Sequence, residues 1–247
     1  MEGYSGVGAQ VHTWSAPSQP PYDLANAQVA YGWTAADNIR PWAHDDSVFA
    51  MGHFLQIPTA YMTSGACGYV YDSLLLYDTV SQTNFWLQVC HFDTRGTPDD
   101  EYTAWDEGTN SAFFTSYFGS DTQYVTKSPY SYSSTGTTWS DWHFYRFHVS
   151  HSQISQIAAK INSEQGTSLS TNPSNYRLDL LTVQNEIYCP VGTNGHLGMS
   201  AYDIYLYEEY GVGSGPVVPE PATIAMSAFA LMGLAGIAKK KINSRRS

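Results

Sequence analysis

Hydrophobic and polar residues alternate with a period of two in several segments of the chain. Successive side chains of a β-strand point to opposite faces, so this alternation predicts strands. The segments are Tyr69–Asp78, Asn84–Phe92, Trp142–Val149, Tyr176–Val183 and His196–Glu208. Clusters of Gly, Asp, Asn, Ser or Pro bound each segment, as expected at strand ends. The pattern therefore predicts a mainly β protein, in which Asn26–Trp33 is a candidate edge strand.

The segment Ser150–Gln165 has a helical pattern instead. Its apolar residues at helical spacing are Ile154, Ile157, Ala158 and Ile161. Ser150 and Gln153 fit a capping box, and Gly166 fits a C-terminal stop. The segment therefore predicts one short amphipathic helix that covers an end of the β domain.

Many short strands, one helix and a closing strand after Gly195 and Gly198 favour an all-β fold, an antiparallel two-sheet jelly-roll sandwich. The closing segment, SAYDIYLYEE at residues 200–209, is similar to the last strand of concanavalin-A-like lectin and glucanase sandwiches. An immunoglobulin-like sandwich is the alternative, although the chain lacks the Cys…Trp…Cys spacing of that fold. We predict one β-sandwich domain at residues 1–208, because the length of the chain suits one large β domain.

The charges are distributed unevenly. The net charge is -11, yet five of the 11 basic residues lie among the last nine residues. The part of the chain before this tail would repel phosphate backbones, so we expect no nucleic-acid partner. Its acidity indicates solubility outside the cell or structural calcium, because clustered carboxylates suit that cation. We predict no other metal or cofactor.

The three cysteines are Cys67, Cys90 and Cys189. They form no CxxC pair, which argues against a structural zinc site. A hairpin turn near Asp78–Thr83 would place Cys90 nearer Tyr71 than Cys67, an offset of about 13 Å along the strand. We therefore predict no disulfide between Cys67 and Cys90.

The last thirty residues contain three parts in order. Val218–Pro221 has the sequence VPEP, residues 222–238 are almost entirely apolar, and a basic cluster follows. The basic residues are Lys239, Lys240, Lys241, Arg245 and Arg246. A helix over residues 222–238 would span about 25 Å, at the short end for a bilayer crossing. We predict a C-terminal transmembrane helix with its basic end in the cytoplasm, preceded by a flexible Gly- and Pro-containing linker at residues 209–217.

Residues 218–247 resemble the PEP-CTERM sorting signal of Gram-negative bacteria, with Pro219, Glu220 and Pro221 as its motif. The resemblance implies recognition by an exosortase, a membrane-embedded cysteine protease, and an association with exopolysaccharide production. The protein would be exported to the cell surface or extracellular matrix, held transiently in the inner membrane through residues 222–238. Such proteins carry a signal peptide, whereas Met1–Tyr4 shows no basic or apolar segment, so we expect an upstream start or a fragment. The alternative is an ordinary C-terminal membrane anchor.

Two predicted strands carry aromatic residues on both faces. The residues that combine an indole ring with polar neighbours are Trp86 and Gln88 on one strand, and Trp142, Arg146 and His148 on the other. Sugar rings stack on Trp and Tyr, and polar side chains complete the hydrogen bonds. These five residues are therefore candidate glycan-binding positions, with burial of the rings in the core as the alternative.

The sequence contains no recognisable catalytic motif. A glycosidase needs two carboxyl groups that flank one bond, whereas Glu186 and Asp106–Glu107 are scattered. The ExDxxE signature, the GxSxG elbow and the HExxH motif are all missing. His91, Asp93 and Arg95 alternate at one strand end, and we favour an ion pair there over a small catalytic group. We assign no catalytic residue.

The sequence thus favours a non-catalytic exported module associated with glycans in the cell-surface or exopolysaccharide matrix. Two alternatives stay open: a polysaccharide-cleaving hydrolase or lyase on the same sandwich, and a purely structural matrix protein. A groove with two carboxyl groups about 5–10 Å apart would favour cleavage. A face with exposed Trp and Tyr would favour binding.

Overall fold

The computed structural model describes residues 9–15, 24–96, 101–117, 123–127, 139–190 and 192–209. These residues form two facing β-sheets and one α-helix. The strands are β1 Ala9–Ser15, β2 Leu24–Gly32, β3 Val48–Met62, β4 Cys67–Asp78, β5 Thr83–Asp93, β6 Tyr102–Asp106, β7 Ser111–Tyr117, β8 Thr126–Lys127, β9 Trp139–Ser150, β10 Tyr176–Tyr188 and β11 Gly195–Glu209. The helix α1 spans His151–Gln165, and a short 3-10 helix spans Pro173–Asn175.

The strands form a five-stranded sheet in the order β1-β11-β3-β9-β8 and a six-stranded sheet in the order β2-β10-β4-β5-β7-β6. The prediction of a two-sheet β-sandwich with one helix is confirmed. The five strand segments predicted from alternation lie within β4, β5, β9, β10 and β11. The candidate edge strand overlaps β2, which is an edge of the six-stranded sheet.

The prediction that the sandwich is entirely antiparallel is wrong at one position. Strands β5 and β7 pair in parallel, from Phe85 opposite Ala112 to Cys90 opposite Tyr117. The chain forms β6 at the edge of the sheet and then returns through a tight turn, so β7 fills the place between β5 and β6. Strand β7 runs antiparallel to its hairpin partner β6, and in this direction it is parallel to β5. In that turn, Asp106 accepts a hydrogen bond of 2.8 Å from the backbone N–H of Gly108.

The hydrophobic core lies between the two sheets. Regular stretches of strand contribute every second side chain to it, because successive side chains point to opposite faces. Over the first half of β5, the buried residues are Phe85, Leu87 and Val89. On β9, they are Tyr145, Phe147 and Val149. The residues that alternate with these, including both tryptophans proposed from the sequence, therefore lie on the outer faces of the sandwich.

Helix α1 begins and ends as predicted. The Oγ atom of Ser150 accepts a hydrogen bond of 3.2 Å from the backbone N–H of Gln153, and the Gln153 side chain accepts one of 2.9 Å in return. Gly166 follows the helix with a φ of 67°, in the left-handed region that glycine adopts without strain. The four apolar residues predicted to face inward are all buried. The helix packs against β6, β7 and β9.

The β4–β5 hairpin also agrees with the sequence. Asp78 pairs with Thr83 at the turn, and Tyr71 pairs with Cys90. Cys67, Cys90 and Cys189 are buried free thiols. Residues 210–247, which include nearly all of the predicted linker and the whole sorting segment, lie outside the described residues. Within the described residues, no helix is both long and apolar enough to span a membrane.

Candidate functional site

The structure separates the five glycan-binding candidates into two groups on opposite outer faces of the sandwich. Trp86 and Gln88 lie on β5 in the six-stranded sheet, and Trp142, Arg146 and His148 lie on β9 in the five-stranded sheet. The two indole rings therefore do not form one stacking surface. Neither ring belongs to the buried core, because Trp86 is partly buried and Trp142 is 42% exposed.

The five-stranded sheet gathers aromatic rings on its outer face, and we call this group the aromatic platform. Its members are Phe54, Trp142, Phe144, Tyr202 and Tyr205. The Phe54 ring stacks on Tyr202 with ring centroids 4.8 Å apart, and Trp142 meets Tyr202 edge-on at 4.5 Å. Phe144 lies 5.2 Å from Phe54 and 6.2 Å from Tyr205. The rings thus form one continuous surface, which Trp142 extends into solvent.

Strand pairing explains why these rings meet. Phe54 on the central strand β3 lies opposite Phe144 of β9 on one side and Tyr202 of β11 on the other. Side chains that face each other across strands lie on the same face of the sheet and contact each other. Trp142 and Phe144 are two residues apart on β9, so they share that face as well.

A β-bulge brings the fifth ring onto the platform. Tyr202 and Tyr205 are three residues apart, a spacing that puts side chains on opposite faces of a regular strand. The register shifts between them, and Asp203 adopts a φ of 54°. The extra residue in β11 turns Tyr205 back to the outer face, where it lies opposite Gly52. Sequence alternation alone could not find this arrangement.

Arg146 and His148 place polar groups beside the rings. They follow Phe144 on the same face of β9 and pair with Gly52 and Ala50 of β3. Burial raises the pKa of Tyr205, and the positive charge of Arg146 partly opposes this rise. The Tyr205 phenol therefore stays neutral near pH 7 and can donate or accept a hydrogen bond. This face combines flat apolar rings with hydrogen-bonding groups.

On the other sheet, Trp86 and Gln88 are engaged with their neighbours. The Trp86 Nε1 atom donates a hydrogen bond of 3.2 Å to the hydroxyl of Thr109. The Gln88 side-chain oxygen accepts one of 2.8 Å from Thr115. Both partners belong to the β6–β7 hairpin, which did not emerge from the sequence. These contacts attach the two side chains to that hairpin.

The outer face of the six-stranded sheet also carries a polar network that sequence reasoning missed. The Tyr71 hydroxyl donates a hydrogen bond of 2.9 Å to Glu186. Beside them, the Gln184 side chain accepts a bond of 3.2 Å from Asn26 and donates one of 3.2 Å to Ser73. Burial is the main cause of a raised pKa at Glu186. Alternation along the sequence does not identify this network, because its residues come together only when β2, β10 and β4 pair.

The strand-end interpretation of His91, Asp93 and Arg95 is half confirmed. Arg95 donates to both oxygens of Asp93, at 3.1 and 2.7 Å, so the ion pair exists. His91 does not share this face. The register shift between Val70 and Tyr71 leaves His91 as an extra residue of β5, and its side chain points into the sandwich.

Inside the sandwich, His91 joins a buried cluster with His53 and Asp72, which we call the inter-sheet cluster. The Nε2 atom of His53 lies 2.9 and 3.0 Å from the two Asp72 oxygens, and Nε2 of His91 lies 2.8 Å from one of them. Burial by itself would raise the pKa of Asp72, but the two histidines outweigh burial and lower it to about 2. Burial lowers the pKa of His91, although Asp72 opposes this effect.

Comparisons with known proteins identify structural neighbours only. No family model and no curated protein sequence matches the chain. Among solved structures, the xyloglucanase domain of NopAA, a type three effector from Sinorhizobium fredii, in complex with cellobiose, matches with a TM-score of 0.42 and 9% identity, covering 83% of this chain and 87% of that one. The family 11 xylanase from Neocallimastix patriciarum matches with a TM-score of 0.38 and 8% identity, over 80% and 86% of the two chains. These neighbours are carbohydrate-active β-sandwich domains, but similarity this low supports no argument about function.

Proposed function

We propose that this protein is an exported, non-catalytic β-sandwich module that binds an extracellular polysaccharide on the aromatic platform. The observation that carries this proposal is the position of Trp142, an exposed indole continuous with four further rings on one sheet face. Contiguous apolar surface that reaches solvent and has polar residues at its edge commonly marks a binding site. Sugar rings offer apolar C–H faces to such rings and hydroxyl groups to polar side chains beside them.

The polar neighbours suit this ligand. Arg146 and His148 lie next to the rings, so hydroxyl or carboxylate groups of a sugar chain would find donors at the edge of the platform. Trp86 and Gln88 remain a second candidate position on the opposite face. Structural calcium remains compatible with the acidic chain.

The sorting part of the proposal rests on the C-terminal sequence. Pro219, Glu220 and Pro221, the apolar residues 222–238 and the basic end support recognition by an exosortase. The protein would pass through an inner-membrane-anchored stage and reach the surface or matrix of a Gram-negative bacterium. A polysaccharide ligand suits that location.

A second candidate function is polysaccharide cleavage on the outer face of the six-stranded sheet. The observation that favours it is the partly buried Glu186 carboxyl group on that face, which accepts a hydrogen bond of 2.9 Å from Tyr71, and burial shifts its pKa upward as a general acid requires. Cleavage also needs a second carboxyl group placed across the scissile bond. Release of reducing ends from a polysaccharide, lost in Glu186→Gln, would support this function over binding alone.

The test of binding compares tryptophan variants of equal exposure. Trp142 and Trp105 are each 42% exposed, but Trp105 lies on β6 of the other sheet. We expect Trp142→Ala to weaken retention on a polysaccharide gel about 5–30-fold, which corresponds to ~1–2 kcal/mol. Trp105→Ala should bind as the unaltered protein does, and both variants should keep its melting temperature.

Other results of the same experiment would contradict the proposal. Loss of retention in Trp86→Ala alone would move the site to the six-stranded sheet. Unchanged retention in Trp142→Ala would remove the platform as a binding site. Failure of the unaltered protein to bind any member of a glycan array would favour the purely structural matrix protein.

A further inference from the structure

We propose that His53, Asp72 and His91 bind one divalent transition-metal ion of the zinc class between the two sheets. The proposal does not depend on glycan binding. Three side chains of the types that bind metal ions converge there from three strands. His53 comes from β3 of the five-stranded sheet, and Asp72 and His91 come from β4 and β5 of the six-stranded sheet. One ligand atom from each residue lies within 4.8 Å of the others.

Apolar residues flank this cluster on two of its strands. On β3, the inward-facing neighbours of His53 are Met51 and Leu55, and on β4 those of Asp72 are Val70 and Leu74. On each of these two strands, one polar residue replaces an apolar residue in the inward-facing row. These two polar residues, His53 and Asp72, face each other across the sandwich. Each polar residue placed in an apolar core lowers stability unless it is compensated.

The β-bulge in β5 supplies the third ligand. In a regular strand, the residue after Cys90 would lie opposite Val70, and only that one side chain would point inward there. The bulge lets Phe92 take that position while His91 also points inward, with Nε2 towards Asp72. Bulges re-aim side chains in this way near functional sites.

The types of donor atom in the cluster favour a particular class of metal ion. Two imidazole nitrogens and a carboxylate are ligands of Zn²⁺ and of Fe²⁺, which take three protein ligands in many sites. The two oxygens of Asp72 both face His53, so the carboxylate can supply one donor or two. Calcium is a poor fit, because it requires six to eight oxygen ligands. This site is therefore distinct from the calcium considered for the acidic surface.

Burial determines how the ion would enter. His53 and Asp72 are 0% and 1% exposed, and His91 is 3% exposed. The Tyr145 ring closes the cluster on one side, 4.6 Å from the His91 ring and 6.1 Å from the His53 ring. An ion in this position would be loaded as the two sheets come together and then retained, a structural role in which binding free energy adds to folding.

The same three side chains could instead form hydrogen bonds alone. Separations of 2.8–3.0 Å between nitrogen and oxygen suit a hydrogen-bonded triad, and a metal bonded at about 2.0–2.2 Å to each donor would widen them by a few tenths of an ångström. The two arrangements differ in composition, so metal content decides between them.

The experiment uses the full chain, unfolded with chelator and refolded with or without Zn²⁺ or Co²⁺. We expect about one ion per chain after dialysis, a rise in melting temperature of several degrees, and visible absorption bands of four- or five-coordinate Co²⁺. Chelator added to the folded, loaded protein should remove the ion far more slowly than chelator added during refolding. Metal content below about a tenth of an equivalent, with the same melt in both preparations, would establish a hydrogen-bonded triad only and overturn the proposal.

Matched variants locate the ion. His91→Gln and His53→Gln should each abolish the Co²⁺ bands. His196→Gln is the control: it removes a histidine that stacks on Tyr61 and does not belong to the cluster, and it should keep the bands. Bands that persist in both cluster variants would place the ion elsewhere and refute the site. Where a cluster variant does not refold, Asp72→Glu supplies the test, because it keeps the carboxylate and should shift the Co²⁺ bands.

Discussion

The phenol ring of Tyr205 lies directly over Gly52 of the neighbouring strand, in the space that any larger side chain at position 52 would occupy. A Cβ atom added at Gly52 would collide with the hydroxyl oxygen and ring carbons of Tyr205. Gly52 therefore permits this end of the aromatic platform to lie flat on the sheet. A glycine in the interior of a central strand weakens the strand, and close approach of another group is a common reason for its presence.

Gly52→Ala should impair the platform before it impairs the fold. The new methyl group must push Tyr205 away from the sheet and so separate it from Phe144, and we expect polysaccharide retention to fall several-fold. Gly32→Ala is the matched control, because a Cβ there meets Leu180 at an ordinary 3.6 Å. Retention and melting temperature are the measurements. Full retention in Gly52→Ala would show that Tyr205 does not contribute to the binding surface.

The raised pKa of Glu186 predicts a pH dependence of stability. The folded state holds the Glu186 proton more tightly than the unfolded state does, so this residue favours folding below its unfolded pKa. That contribution is lost as pH rises through the raised folded pKa. We therefore expect Glu186→Gln to become more stable relative to the unaltered protein as pH increases from about 4 towards 7. Urea denaturation measures the unfolding free energy of both proteins.

Glu164→Gln provides a control of opposite sign. Glu164 accepts hydrogen bonds from Lys160 at 2.6 Å and from Thr103 at 2.9 Å, and these contacts lower its pKa. Its contribution is present above the unfolded pKa and is lost as pH falls through the lowered folded pKa. The relative stability of Glu164→Gln should therefore decline slightly as pH rises. Parallel trends in the two variants would contradict the assignment of Glu186.

The capping box of α1 gives a prediction about local stability. Ser150→Ala removes the acceptor for the backbone N–H of Gln153 at the start of the helix, and we expect a loss of about 1 kcal/mol. Ser163→Ala, at an exposed position near the other end of α1, should change the unfolding free energy little. Urea denaturation measures both. Equal effects of the two substitutions would show that the cap does not stabilise the helix.

Local patterns were sufficient for much of the fold. Strand β9 and the first half of β5 have one buried and one partly exposed face, so alternation identifies them. Helix α1 carries both of its boundary signals in the sequence. By contrast, β3 is buried on both faces over Phe49–His53, so its sequence shows no alternation there. The short β6–β7 hairpin, and its parallel insertion beside β5, depend on contacts that no local pattern records.

The candidate sites were harder to predict for a related reason. Alternation placed Trp142, Arg146 and His148 on one face correctly: Arg146 and His148 pair regularly with β3, and the Trp142 ring contacts Tyr202 on that face. It failed at His91 and cannot show that Tyr205 shares a face with Tyr202, because one extra residue in a strand reverses the face of every side chain that follows. Both of the sites proposed for this protein use such a bulge. A period-two pattern therefore misplaces the residues that distinguish these sites from ordinary strand positions.

The C-terminal sequence leads to a prediction about processing. Proline disfavours the interior of a helix, so Pro219 and Pro221 would mark the start of the proposed membrane helix, and the basic end would stay on the cytoplasmic side. In a host with an exosortase, we expect the mature surface form to lack Lys239–Ser247. The intact mass of the surface-exposed protein measures this. A mature species that retains Arg246 would contradict the sorting interpretation, as would identical processing in a strain without the exosortase. Glu220→Gln should leave the tail attached, whereas Thr223→Ala, three residues further along, should be processed normally.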